Sequence, residues 1–299
     1  MKTSLKKSMI PFAYIIGKCL NINSALFEIY RNKNFKGKLL ISGFLDRSKF
    51  LNGTYKCGGV KYEIDFKDQI QEMIYLGTYE RDDLAFLKNY IQKDWICLDI
   101  GANVGFYTLN LSKLVGEKGR IYAIEPSPSN YEILQKNVRL NDLDNVFSAN
   151  IALSSQDGEF TFSTSPDRNS GWGRLGKWKA AKSEVVVETK TLDNFVQEQG
   201  VSEIDFLKID IEGHELEFLK GAEKTLKSRL ISRIMVEYCG FVLEPQGISL
   251  KNYVEKIEGF GYVPRYFNLD KIKQAKRNSY KSQKEILNLI FERKEMESA

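Results

Sequence analysis

The chain has 299 residues, 42% hydrophobic and 28% charged, and a net charge of +5. That apolar fraction excludes wholesale disorder, and the length suits one large α/β domain with an extension, or two small domains. Four widely spaced cysteines, Cys19, Cys57, Cys97 and Cys239, include no C-x-x-C pair, which argues against a structural zinc site and for free thiols in a reducing, cytoplasmic compartment.

The start, MKTSLKKSMIPFAYIIGKCL, sets lysines before an apolar run over 9–16. The run is short, contains Pro11 and lacks an A-x-A-like cleavage site, so it reads as a helix packing on the domain or on a partner. Residues 1–53 read as a helical N-terminal extension and 54–299 as the main domain. Strand-type residues flank Gly58-Gly59 over 54–66, a hairpin signal. Helical spacing over 82–91 leads into WICLDIGANVGFYTLNLSKLVGEKGRIYAIE, residues 95–125. Here a buried strand (95–100), a glycine turn, a helix (106–115) and a second strand (120–124) make one β-α-β unit. Ser127 caps the next helix, with Pro128 at its first position, and that helix runs to about 140. A third strand (145–149) ends near Asn150, Ile151 and Ala152.

Alternating residues predict strands over 158–164 and 184–189. Between them SPDRNSGWGRLGKWKA is a long polar loop, a candidate lid or acceptor-binding element, or else a plain solvated insertion. A helix (191–199), a fourth strand (206–210), one helix over 213–227 and a fifth strand (233–238) follow. The tail reads as a helix (250–257), a strand (262–267), a lysine-rich loop and an apolar run over 286–291 that suits strand or helix.

The strand ends carry the chemistry. In an open α/β sheet ligands sit at the carboxyl ends of the strands, where Asp99, Glu125, Asn150, Asp210 and Glu237 fall. Glycine lets a ligand lie against backbone, and a carboxylate about 20 residues on can accept hydrogen bonds from ribose hydroxyls. The turn reads D-x-G-x-N-x-G from Asp99, not G-x-G-x-x-G. A carboxylate there repels a pyrophosphate and suits an ammonium, which favours S-adenosylmethionine over NAD. On that reading Asp99 holds the methionine ammonium, directly or through water. Gly101 and Gly105 permit close approach, and Asn103 offers an amide. Glu125, beside Pro126, takes the ribose hydroxyls, and Asn150, Ile151 and Ala152 line the adenine. Glu80 is a further candidate for the methionine end, with a surface acid as the competing reading.

These blocks, LDIGANVGFYTL, IEPSPSNYEILQKNV, IDFLKIDIEGHELEFLKGA and IMVEY, resemble the FkbM-type family of S-adenosylmethionine-dependent methyltransferases from about residue 75 to 238. The resemblance implies a class I, Rossmann-like three-layer sandwich. Its mostly parallel seven-stranded sheet closes with an antiparallel hairpin, to which the 286–291 run is then assigned. It also implies methyl transfer to oxygen on a sugar or natural-product scaffold, hence a small-molecule or glycan acceptor. A base for that hydroxyl would come from Asp210, Glu212, His214 or Glu237. His214 is the sequence's one histidine, and a partly exposed helix-start residue is its competing role. No metal site is assigned: Asp210, Glu212 and Glu237 would offer an all-oxygen, Mg²⁺-like or Ca²⁺-like set, but no family pattern calls for it.

No [DN]-P-P-[YFW] motif and no Pro-Cys nucleophile marks a nucleic-acid methylase, and the one histidine has no G-x-S-x-G elbow beside it. Lys177, Lys179 and Lys182, and a second stretch comprising Lys271, Lys273, Lys276, Arg277, Lys281 and Lys284, read as solvated faces. Weak contact with an anionic acceptor or membrane surface is their alternative use. The rival readings are an NAD-type oxidoreductase and a non-catalytic binding protein on the same fold. The oligomeric state is not legible in the sequence.

Overall fold

The computed structural model describes residues 51–165, 168–277 and 285–294. Most of the expected N-terminal extension, with its 9–16 apolar run and Cys19, lies outside the described residues, as do Lys281 and Lys284. Strands β1 (Gly53–Cys57) and β2 (Val60–Ile64) form the expected antiparallel hairpin around Gly58 and Gly59, both in the left-handed region. The hairpin is fixed to the main body by side-chain amides. Asn137 Oδ1 accepts from Glu63 N at 2.7 Å, and Asn141 Oδ1 accepts from Lys61 N at 2.9 Å. Helices α1 (Gln69–Leu76) and α2 (Arg81–Tyr90) follow.

The β-α-β unit forms as its spacing predicts: β3 (Ile96–Ile100), α3 (Phe106–Val115) and β4 (Arg120–Ile124). Helix α4 (Pro128–Leu140) starts at Ser127, whose hydroxyl accepts from Asn130 N, and leads to β5 (Val146–Ala149). Strands β6 (Ala152–Leu153), β7 (Gly158–Ser163), β8 (Arg174–Leu175) and β9 (Glu184–Lys190) make a separate sheet in the order β6-β9-β7-β8. Then come α5 (Leu192–Glu198), β10 (Phe206–Ile209), α6 (Glu215–Gly221), α7 (Glu223–Lys227), β11 (Arg233–Cys239), α8 (Gly240–Leu243), α9 (Leu250–Glu258), β12 (Tyr262–Arg265), α10 (Leu269–Lys276) and β13 (Ile286–Arg293).

The main sheet has seven strands in the order β12-β13-β11-β10-β3-β4-β5. Only β13 runs against its neighbours, so the sheet is mostly parallel with an antiparallel closing hairpin, the arrangement of a class I methyltransferase. Successive residues of a strand face opposite sides. Leu98, Ile100, Leu207 and Ile209 therefore join one buried cluster, with α5, α6, α7 and α9, while Cys97, Ile121, Phe206 and Met235 join another under α1, α2, α3 and the hairpin. Those two cores give the three layers. Among the described residues no helix is long and apolar enough to cross a membrane.

Two expectations need correction. The helix over 213–227 is two helices, because the chain bends at Ala222 (φ −108°, ψ 7°) and a new amino end opens there. Asp193 caps it, accepting from Thr225 N at 2.7 Å and Lys224 N at 3.1 Å. The lysine-rich loop after β12 begins as helix α10, since Ile272 reaches the core and Lys276 pairs with Glu258 of α9 at 2.6 Å.

Candidate active site

A cavity of about 320 Å³ opens at the carboxyl ends of β3, β4, β10 and β11, within the range of small-molecule sites. The turn after β3 forms its floor. Gly101 and Ala102 both donate to Ile124 O, at 2.9 and 3.0 Å, which folds the turn over the end of β4. Gly101 sits at φ 80°, and a Cβ there would stand 1.8 Å from Asp210 O. The glycine is thus required where the chain crosses the end of β10. At Gly105 (φ 94°) a Cβ would meet Leu109 Cδ1 at 2.4 Å and Leu134 Cδ1 at 2.8 Å, so packing of α3 on α4 requires it, and it does not line the cavity.

Glu125, at the end of β4, is 4% exposed and lines the cavity. Its Oε2 accepts from Asn103 N at 2.7 Å and its Oε1 from Ser127 N at 2.8 Å. A carboxylate has about four acceptor positions, so capacity remains for hydroxyl donors. Burial pushes Glu125 up to about 7, against the opposing pull of those N–H groups. Asn103, at φ 50°, accepts from Val104 N and from the Ser170 hydroxyl through Oδ1.

Lys208 on β10 was not singled out from the sequence, yet it centres the site. It lies in register with Asp99 of β3, 3.7 Å from Asp99 Oδ1, donates to Asp210 Oδ2 at 3.1 Å, and sits 4.4 Å from the centre of the Tyr107 ring. Burial alone would depress its ammonium, but Asp210 and Asp99 outweigh that and hold it above the ordinary lysine range. Asp99 is fully buried on the α3 side of the sheet, its Oδ2 taken by Thr108 Oγ1 at 2.6 Å, and it is not on the cavity wall. The expectation that Asp99 holds a ligand ammonium is therefore corrected for direct contact: its short side chain is engaged by Thr108 and Lys208 beneath the site, where it fixes Lys208.

The rest of this end is acidic. Asp210, Glu212, Glu237 and Glu80 all line the cavity. Burial, then the charges of Asp210 and neighbouring carboxylates, pushes Glu212 and Glu237 well above the usual range. Glu80 is pushed up to about 8 by burial and by Asp83. Glu215 lies just behind, accepting from Gly213 N and Ile211 N through Oε1, and burial pushes it up to about 7. His214 caps α6 and lines the cavity, with Nε2 2.8 Å from Ser154 Oγ; burial lowers its basicity. Among the described residues, Glu212, Glu237 and Cys239 bring one ligand atom each within 4.8 Å of one another.

The long polar loop closes the cavity. Residues 169–175 line it, including a 3-10 turn over Ser170–Trp172. The loop is latched to α1: Arg168 donates to Phe66 O and pairs with Glu72 at 3.3 Å, Ser170 N donates to Asp68 Oδ2 at 3.0 Å, and Gln69 N donates to Arg168 O. Asn130 Nδ2 donates to Ser170 O at 3.2 Å from α4. Lys177, Lys179 and Lys182 beyond it are exposed.

The cavity thus brings together Glu80, Gly101, Asn103, Glu125, Pro126, Ala152, Asp210, Glu212, His214 and Glu237. Besides Asp99 and Gly105, two more predicted residues fall behind its wall. Asn150 Nδ2 donates to the carbonyls of Glu125 and Pro126, holding that turn in shape, and Ile151 packs into the core; Leu153 lines the wall instead. Lys208, Tyr107 and Asn130 were missed. A single lysine inside the apolar run FLKI, two residues before Asp210, was the available signal for the first.

Known proteins bear on this site. A hexuronic acid methyltransferase, AglP, of Haloferax volcanii is 27% identical over 158 residues, 53% of this chain and 62% of that protein. Methyltransferase sdnD of Sordaria araneosa is 30% identical over 180 residues, 50% of this chain and 67% of that protein. The 2-O-methyltransferase NoeI of Sinorhizobium fredii is 25% identical over 190 residues, 58% of this chain and 75% of that protein. The match thus spans less than two thirds of the first of these relatives. Among solved structures, an FkbM methyltransferase of Methylobacillus flagellatus superposes with a TM-score of 0.42 at 15% identity, over 76% of this chain and 55% of that one. The model described as methyltransferase FkbM domain matches residues 99–267, more than half of the chain, and the chain belongs to that family.

Proposed function

We propose that this chain transfers a methyl group from S-adenosylmethionine to a hydroxyl oxygen of a sugar or natural product. The observation that carries the reading is Glu125: a buried carboxylate, fixed by two backbone N–H groups, with acceptor capacity left for a pair of ribose hydroxyls. The donor set suits this cofactor, since buried acids around Asp210 favour a ligand with positive groups and oppose a pyrophosphate. When bound, S-adenosylmethionine supplies an electrophilic methyl group. The protein's own work is positioning and proton transfer. The latched loop excludes water. Lys208 fixes Asp210 through Oδ2, which leaves Oδ1 to take the proton of an acceptor hydroxyl. The names of the Haloferax and Sinorhizobium relatives, hexuronic acid methyltransferase and 2-O-methyltransferase, support a sugar hydroxyl. Cys97 and Cys239 are free thiols, which supports a reducing, cytoplasmic setting.

Calorimetric titration with S-adenosylhomocysteine tests the reading. One-to-one binding by the wild type, weakened at least about tenfold (about 1.4 kcal/mol) in Glu125→Gln, is expected. A wild-type protein that takes NADH and ignores S-adenosylhomocysteine would overturn it.

A further inference from the structure

We propose that Glu212, Glu237 and Cys239 form a divalent transition-metal site in the wall of this cavity. Glu237 and Cys239 are two residues apart on β11, so their side chains leave the same face of the strand. Glu212 arrives from the turn after β10, in a left-handed conformation (φ 53°). One ligand atom of each residue lies within 4.8 Å of the other two. Metal–ligand distances of roughly 2.0–2.3 Å place such atoms within about 4 Å of each other, so a small side-chain rotation closes the set.

A second observation points to a cation here. Glu237 is 9% exposed, and among the described residues its Oε2 has no hydrogen-bond partner. A buried carboxylate without a partner is costly. The neighbouring acids are engaged otherwise: Asp99 and Asp210 share Lys208, Glu215 takes two backbone N–H groups, and Glu80 takes the Asn288 amide. Among the described residues, neither Glu212 nor Glu237 has a cation within ion-pair distance.

The donor set selects the ion. Mg²⁺ and Ca²⁺ seek six or more oxygens, and a thiolate is a poor ligand for them. Two carboxylates and one thiolate suit Zn²⁺, Co²⁺ or Fe²⁺. Three protein ligands leave a position open, and because Glu212 and Glu237 line the cavity, that position faces the ligand space. A hydroxyl oxygen placed there would lose its proton more readily. That use rests on the methyl-transfer reading, whereas binding of the ion does not.

The test is a titration of the chelator-stripped full chain with Co²⁺, followed by near-ultraviolet absorption. One equivalent should bind with a thiolate-to-cobalt charge-transfer band. The band should vanish in Cys239→Ser, and Glu237→Gln should bind at least about tenfold more weakly. Absence of the band in saturated wild type, or its persistence in Cys239→Ser, overturns the site. If Cys239→Ser fails to fold, Glu212→Gln decides: its cobalt affinity must fall at least about tenfold, and an unchanged affinity overturns the site. A wild type that binds Co²⁺ with the band but not S-adenosylhomocysteine keeps the metal site and removes the methyl-transfer reading.

Discussion

At the β3–β4 end of the cavity the acid is outnumbered by donors: Glu125 accepts from two loop N–H groups, and the turn donates onward to Ile124 O. At the β10–β11 end the balance is reversed. Asp210, Glu212, Glu215 and Glu237 crowd around the ammonium of Lys208, and among the described residues Glu215 Oε2 and Glu237 Oε2 have no partner. The first end is finished without a ligand and can recognise one rigidly. The second is incomplete and gains from whatever positive charge or hydrogen-bonding group enters it, which is where a reaction that moves a proton belongs.

The largest effect should come from the hinge between the two ends. Lys208→Met leaves the buried Asp99 and the half-buried Asp210 without their cation and should cost about 3–5 kcal/mol in denaturant unfolding. Asp99→Asn in the same chain should restore a large part of it, and a neutral Lys208→Met would break the comparison. Next is Gly101→Ala, whose Cβ would meet Asp210 O; about 3 kcal/mol is expected. Gly58→Ala, also left-handed but with open space around it, should cost only about 1 kcal/mol, so the difference isolates the clash.

A smaller loss, about 1–2 kcal/mol, is expected for Asp68→Ala, which removes the cap of α1 and the latch on Ser170 together. Faster dissociation of S-adenosylhomocysteine in stopped flow would show that the loop gates the cavity. An unchanged off-rate would leave Asp68 as a helix cap alone.

A separate signal is a slope with pH. Burial raises Glu125 and Glu215 from 4.5 to about 7 in the fold. Below 4.5 both states hold the proton and the fold has no penalty. Between 4.5 and about 7 the unfolded chain ionises first, so stability of the free protein falls as pH rises. Each group contributes at most about 1.4 kcal/mol per pH unit. Glu215→Gln should flatten the decline in unfolding midpoint across this window, and a midpoint that rises with pH would contradict the account.

Much of this architecture was legible because hydrophobic periodicity changes cleanly between strand and helix, as at 95–125, where helix and second strand end as their spacing predicts. The break at Ala222 was not, since the cap that creates it comes from Asp193, about thirty residues earlier in the chain and adjacent only in space. The site was legible as a set of strand ends and less so as a set of directions. Asp99 shares a face with Lys208, but its short side chain is taken up by Thr108 and Lys208 and stays behind the wall. The longer Lys208 side chain reaches the cavity, and only the pairing of β3 with β10 shows what it neutralises. Gly101 and Gly105 were read as room for a ligand; at both, the atoms that would collide with a Cβ belong to the protein itself.

A crystal structure of the complex with S-adenosylhomocysteine tests the central claim most directly. The account predicts ribose hydroxyls on the Glu125 carboxylate, beneath the latched 169–175 loop, with the homocysteine end toward Lys208 and Asp210. A nucleoside bound away from Glu125, or a cavity that stays without ligand at saturating concentration, would contradict it.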